Sequence, residues 1–176
     1  SVFFIALLLV GCDDKDDIND SDQNPSSSIN YDFGASVSRD FIGQIVDEND
    51  NPISSVQIKI GTSTTQTDVN GVFLIKNASV KSNFAYITAT KSGYLTGSRT
   101  VVPTSGENKV KIMLLTATTV GTVTSGSASN VTLANGTKVI FDGNFKKENG
   151  SVYSGSVNVV MHHLDPSDEN IEIKMP

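Results

Sequence analysis

The stretch Val56-Gln57-Ile58-Lys59-Ile60-Gly61, followed by Thr64-Thr65-Gln66-Thr67, Asp68-Val69-Asn70-Gly71 and Val72-Phe73-Leu74-Ile75, decides the fold. Val56, Ile58 and Ile60 alternate with Gln57 and Lys59, so an extended chain here carries one apolar face. Gly61 ends that run. Thr64 to Thr67 reads as a short polar strand, expected at a sheet edge. Asp68-Val69-Asn70-Gly71 is a tight turn in which Asn70 and Gly71 can take positive φ. Val72 to Ile75 then extends again. Strand, polar edge, tight turn and strand within so few residues leave no room for a helix.

The same grammar continues on both sides. Phe41 to Val46 reads as a strand, and Asp47-Glu48-Asn49-Asp50-Asn51-Pro52 as a turn. Ala85 to Lys91 is another strand with Ile87 and Ala89 inward. Gly93-Tyr94 turns the chain, Ser98 to Val102 extends, and Val110, Ile112 and Leu114 form a last inward row. These make seven expected strands in roughly 75 residues. No helical periodicity persists over three turns, so the class is all-β and the pairing mainly antiparallel.

The landmarks Gly43-x-x-x-Asp47, Asn51-Pro52-Ile53-x-x-Val56, Thr67-Asp68-x-Asn70-Gly71-x-Phe73 and Lys91-x-Gly93-Tyr94 resemble the carboxypeptidase-regulatory-like domain. The resemblance covers about Phe41 to Leu115. It implies a seven-stranded Greek-key, prealbumin-like sandwich that serves as a non-catalytic accessory module, with no catalytic residues to carry over. One position departs: the family often has glycine before the inward valine of the second strand, and here Ser55 stands there, a small residue expected to be tolerated.

A second pattern follows Thr116. Thr116 to Ser129 is a connector with some strand character. Val131-Thr132-Leu133, Val139-Ile140-Phe141 and Val157-Asn158-Val159 are strand units, and Asn135-Gly136 is a strong hairpin signal. Their order resembles a β-module found in bacterial surface lipoproteins. It is expected to be incomplete at Met175-Pro176, because a core of about 60 residues is marginal without staples.

The start of the chain has a different character. An apolar run, Val2 to Val10, ends in Gly11-Cys12, and Cys12 is the chain's one cysteine. This resembles a bacterial lipoprotein signal peptide closing on a lipobox. The basic leader segment is not seen before Val2, so the signal is expected to be incomplete at its N-terminus. The run is about half of the ~20 residues that a spanning helix needs. The resemblance implies that Cys12 becomes the lipidated first residue, held stably because two or more acyl chains anchor where one does not. Asp13, Asp14, Lys15, Asp16 and Asp17 resemble a sorting signal for surface export. In other groups an Asp after the cysteine resembles an inner-membrane retention signal, and either way the run is a solvated spacer. Residues up to about Ser38 are rich in Asp, Asn and Ser and read as a disordered linker, which as a flexible coil reaches ~25–30 Å.

The expected organisation is therefore residues 1–11 signal peptide, 12–38 lipidated acidic linker, 39–116 regulatory-like sandwich and 117–176 second β-module. The chain has 176 residues and a formal charge of −6. That argues against nucleic acid, whose phosphates need a basic face, and no nucleotide loop is present.

Catalytic chemistry finds little footing. His162 and His163 are the only histidines, and adjacent strand residues point to opposite faces, so they do not chelate one ion. No nucleophile elbow accompanies them. Asp47 and Asp50 resemble part of a calcium-binding linker, and Asp165, Asp168 and Glu169 form a second oxygen-rich loop. Both are weak calcium candidates, since the same residues are ordinary turn formers. No metal site, cofactor or catalytic residue is expected. The sequons at Asn77, Asn130, Asn135 and Asn149 read as coincidence in a chain so rich in Asn, Ser and Thr.

Sugar binding is the more serious alternative. With no tryptophan, its aromatic candidates are Tyr31, Tyr86, Tyr94 and Tyr153, of which Tyr94 belongs to the turn pattern. The sequence thus points to a non-catalytic lipoprotein of the outer membrane, at the cell surface or otherwise on the periplasmic face. Its partners would be membrane lipid through the acylated cysteine, and a glycan or protein at the surface. A further alternative makes these modules the accessory N-terminal region of a larger enzyme.

Overall fold

A computed structural model describes residues 31–174. The signal peptide, Cys12, the run Asp13 to Asp17 and most of the expected linker lie outside the described residues. Almost all regular structure is β. The first part holds β1 (Ser36–Val46), β2 (Gln57–Ile60), β3 (Ser63–Gln66), β4 (Val72–Lys81), β5 (Ala85–Thr90), β6 (Gly97–Val101) and β7 (Glu107–Met113). One sheet runs β4-β1-β7 and the other β3-β2-β5-β6. All pairs are antiparallel except β1 with β7. The polar strand expected at an edge is β3, and it is one.

The apolar faces read from the sequence meet between these sheets. Phe41 and Ile45 from β1, Ile58 and Ile60 from β2, Ile87 and Ala89 from β5, and Ile112 from β7 are almost wholly buried in one core. β1 is long enough to pair on both sides, and Gly43 is what lets it do so. A side chain there would stand 2.4 Å from both the Phe73 ring and the Val110 carbonyl. The missing Cβ is the space that Phe73 fills.

β1 starts at Ser36, so the linker expected to reach Ser38 gives way to strand before its end. The cause is tertiary: Ser36, Val37 and Ser38 lie opposite Lys81, Val80 and Ser79 of β4. The alternation that marks Phe41 onward is blurred upstream by Ser38-Arg39-Asp40. The register slips between Arg39 and Phe41, and Asn77 of β4 takes φ 57°. The backbone N–H of Asn77 donates to Asp40 Oδ1 at 2.8 Å, so the acid at position 40 satisfies the group that the irregularity frees.

The turns follow their chemistry with one change. In Asp68-Val69-Asn70-Gly71 only Gly71 has positive φ, at 70°. Asn70 was expected there too, but its N–H instead donates to Asp68 Oδ1, as does that of Val72. The aspartate closes the turn, and glycine is needed only where the chain meets the Ile45 carbonyl. Ser55, the departure from the family pattern, sits at φ 53°, a left-handed conformation that glycine adopts without strain.

Beyond Leu115 lie β8 (Gly121–Thr124), β9 (Ser129–Thr132), β10 (Lys138–Phe141), β11 (Ser156–Val159) and the short helix α1 (Ile171–Lys174). β8 falls inside the expected connector. It pairs with β11, while β9 and β10 form the hairpin that Asn135-Gly136 announced. Val123, Val131, Phe141 and Val159 are the buried residues of this second, much smaller core. Phe145 stands edge-on to Phe141 with ring centroids 6.0 Å apart.

Candidate functional site

Strand alternation places Ala85, Ile87 and Ala89 in the core and turns Tyr86 and Thr88 outward. Lys59 lies opposite Thr88 in the pairing of β2 with β5. The hairpin between β4 and β5 is closed by Lys81 and Phe84, each donating its N–H to the other's carbonyl at 3.1 and 3.2 Å. The segment before β1 folds over this turn: Ser82 and Asn83 donate to the Ala35 and Phe33 carbonyls. That brings Phe33 to 4.8 Å from Phe84, ring centroid to ring centroid. Phe84 and Tyr86 in turn stand with parallel rings, 10° between planes and 6.5 Å between centroids.

Lys81, Phe84 and Tyr86 border an open groove of about 450 Å³, within the range of small-ligand sites. Phe84, Tyr86 and Val80 give it apolar surface, Ser36, Ser79 and Thr88 give it hydroxyls, and Lys59 and Lys81 give it charge. No carboxylate lines it. The Lys81 ammonium donates to Ser36 Oγ at 3.2 Å. Gly61 closes the groove against β4, with its Cα face so near that a Cβ would be 2.2 Å from the Ser79 carbonyl oxygen.

Of the tyrosines singled out in the sequence, Tyr86 reaches this groove and is 48% exposed. Tyr94 packs against the large core. Tyr153 donates its hydroxyl to the Ser156 carbonyl at 3.0 Å, a local tie. Tyr31 is exposed. Phe33, Phe84, Lys59 and Lys81 were not anticipated. The alternation Phe84-Ala85-Tyr86, read with Ile87 and Ala89 inward, was the available signal for the two aromatic positions.

The candidate calcium carboxylates already hold partners, in or beside their own turns or, for Asp50, on β7. Asp47 Oδ1 accepts the backbone N–H groups of Asn49 and Asn51, at 2.8 and 2.9 Å. Donation from the Asn51 backbone, with help from its side chain and from Asn49, holds the Asp47 carboxyl below the usual aspartate range. Asp50 pairs with Lys111 at 2.6 Å. Asp165 accepts from the Ser167 hydroxyl and N–H, and both lower its pKa. Asp168 binds Lys174, which lowers its pKa, as does the Asn170 N–H. Among the described residues no group of three or more His, Cys, Asp or Glu side chains could hold a metal ion.

The histidines lie in irregular chain after β11 rather than on a strand. His162 Nε2 is 2.8 Å from the Thr116 carbonyl oxygen, which can only accept, so that nitrogen carries a proton. Its Nδ1 lies 3.5 Å from Glu48 Oε1. Glu48 Oε2 accepts the Thr116 hydroxyl and N–H at 2.8 and 3.2 Å. His162 is therefore a tie between the two β-parts. His163 Nδ1 faces the Thr137 hydroxyl at 3.1 Å.

No family model matches the chain, and no curated protein matches it. Among solved structures it is similar to 3-chlorocatechol 1,2-dioxygenase from Rhodococcus opacus, at 12% identity and a TM-score of 0.37. That match covers 49% of this chain and 62% of the dioxygenase chain. At that score the dioxygenase chemistry stays with that enzyme. Among the described residues no helix is long and apolar enough to cross a membrane.

Proposed function

We propose that this chain is a non-catalytic surface lipoprotein, tethered through acylated Cys12 and acting by holding its β-sandwich away from the outer membrane. The carrying observation is the apolar run Val2 to Val10 closed by Gly11-Cys12 and followed at once by Asp13-Asp14. Apolar residues seat the leader in a membrane peptidase, glycine gives the scissile bond room, and only a thiol forms the thioether to diacylglycerol. The polar residues between Cys12 and β1 supply reach. Lys15 among the aspartates supports export to the surface over retention.

The test is fractionation of cells that express the native reading frame. Cys12→Ser is expected to move the protein from the membrane to the soluble fraction. Retention of the variant in the membrane fraction would refute the anchor.

One observation favours a second role on the same scaffold. The groove at Tyr86 joins parallel aromatic rings, hydroxyls and two lysines on the outside of the sandwich. It supports reading the sandwich as an interaction module for a glycan or protein at the surface. Calorimetric titration of wild type and Tyr86→Ala against surface glycans and proteins tests this, and equal binding by both would remove the groove from the account.

A further inference from the structure

We infer that the groove between β2, β4 and β5 binds an acidic polysaccharide; this rests on the interaction-module reading and specifies its ligand. Three features of the groove point to that chemistry.

The first is the lining. Sugar rings present C–H faces flanked by hydroxyl edges, and they need an apolar platform beside hydrogen-bonding groups. Phe84 and Tyr86 supply the platform, with parallel rings 6.5 Å apart. Ser36, Ser79 and Thr88 supply hydroxyls next to it. Two adjacent aromatic positions along an open groove suit a chain of sugar units better than a single enclosed one.

The second is charge. The described residues carry nearly equal numbers of acidic and basic side chains, and the groove holds Lys59 and Lys81 with no carboxylate. Lys81 is held over the groove by its bond to Ser36 Oγ. Lys59 is exposed and makes no ion pair among the described residues. A carboxylate-bearing sugar in the groove would meet two ammonium groups and no opposing carboxylate.

The third feature disfavours an acidic peptide. Peptides dock on sheets mostly by adding a strand to an open edge. β4 is an edge strand, but at the groove Gly61 sits against the Ser79 carbonyl, with no room even for a Cβ. The backbone acceptor that an added strand would use is covered. What stays accessible is side chain: rings, hydroxyls and ammonium groups.

The test is isothermal titration of the full chain, purified in detergent, with three probes: oligogalacturonate, a neutral cello-oligosaccharide and poly-glutamate. The expected result is binding of oligogalacturonate alone, weakening several-fold between about 50 and 200 mM salt. Tyr86→Ala should bind it about tenfold more weakly. The double variant Lys59→Gln, Lys81→Gln, altered only at exposed positions, should lose most of the salt dependence. Circular dichroism of each variant separates lost binding from lost fold.

Equal binding of the neutral oligosaccharide, unaffected by salt, overturns the acidic part and leaves the interaction reading standing. Equal binding of poly-glutamate overturns the sugar part. Tyr86→Ala binding like wild type overturns the location. If wild type binds none of the probes, the inference is overturned, while the anchor and a protein-binding role are still judged by their own experiments.

Discussion

Gly43, Ser55 and Thr67 show how single positions hold the sandwich together. Gly43 is the space into which Phe73 packs, and a methyl group there would meet a ring and a backbone carbonyl at 2.4 Å. Gly43→Ala is expected to destabilise by about 2 kcal/mol or more through overpacking, measured by urea denaturation. Ser55, at φ 53°, holds a left-handed conformation that strains a side chain. Ser55→Gly should raise stability by about 0.5–1 kcal/mol, as relief of the left-handed strain outweighs the added chain entropy. An unchanged or lower denaturation midpoint would count against that. Thr67 is buried, and its hydroxyl accepts the Val56 N–H at 2.9 Å and donates to the Ile53 carbonyl at 2.7 Å. Thr67→Val leaves both groups unpaired in the core and should cost about 2 kcal/mol or more. The glycine and the buried threonine stand in motifs legible from sequence, but their reasons are contacts between distant strands. The sequence therefore marks such positions without saying what each one touches.

At the scale of elements, alternation carried most of the information. It located β2 and β5 to within a residue or so, because each has one face in the core and one in water, while β3, with no buried residue, was read from its polar composition as an edge. It failed where other forces set the structure. The first residues of β1 are strand because β4 pairs with them. β8 hides in a Thr- and Ser-rich connector whose only fully buried strand residue is Val123. The groove was half legible: the outward tyrosine followed from alternation, but its companions include residues of β1, β2 and β4, which only tertiary structure brings together. The turns also make a prediction about pH. Hydrogen bonds lower the folded-state pKa of Asp47 below its unfolded value. Its contribution to stability is thus complete above the ordinary aspartate pKa of ~3.9 and is lost as pH falls through the lowered folded value. Asp142, Asp165 and Asp168 are shifted in the same direction. Asp47→Asn, which keeps a side-chain acceptor but does not titrate, should lose less stability than wild type on acidification below pH ~4. Equal acid sensitivity in thermal melts would show that this turn does not contribute.

At the scale of the molecule, one large core and one small core share the chain beyond Tyr31, and His162 binds the second part to Glu48 and Thr116 of the first. His162→Ala should speed hydrogen exchange in β8 to β11 and leave β1 to β7 protected; uniform exchange rates in the variant would remove the tie. The large core was legible because alternation and turn chemistry agree there. The small core was less legible, since four buried residues leave only a faint pattern. The proposed function places this scaffold in the cell through an anchor, and that proposal rests on one covalent bond. The most direct measurement is mass spectrometry of the mature N-terminus after trypsin, from cells expressing the native reading frame. The account predicts that the chain begins at Cys12 and yields Cys12-Asp13-Asp14-Lys15 with a diacylglyceryl group on sulfur. A peptide that runs intact across Gly11-Cys12, or a mature Cys12 with a free thiol, would contradict it.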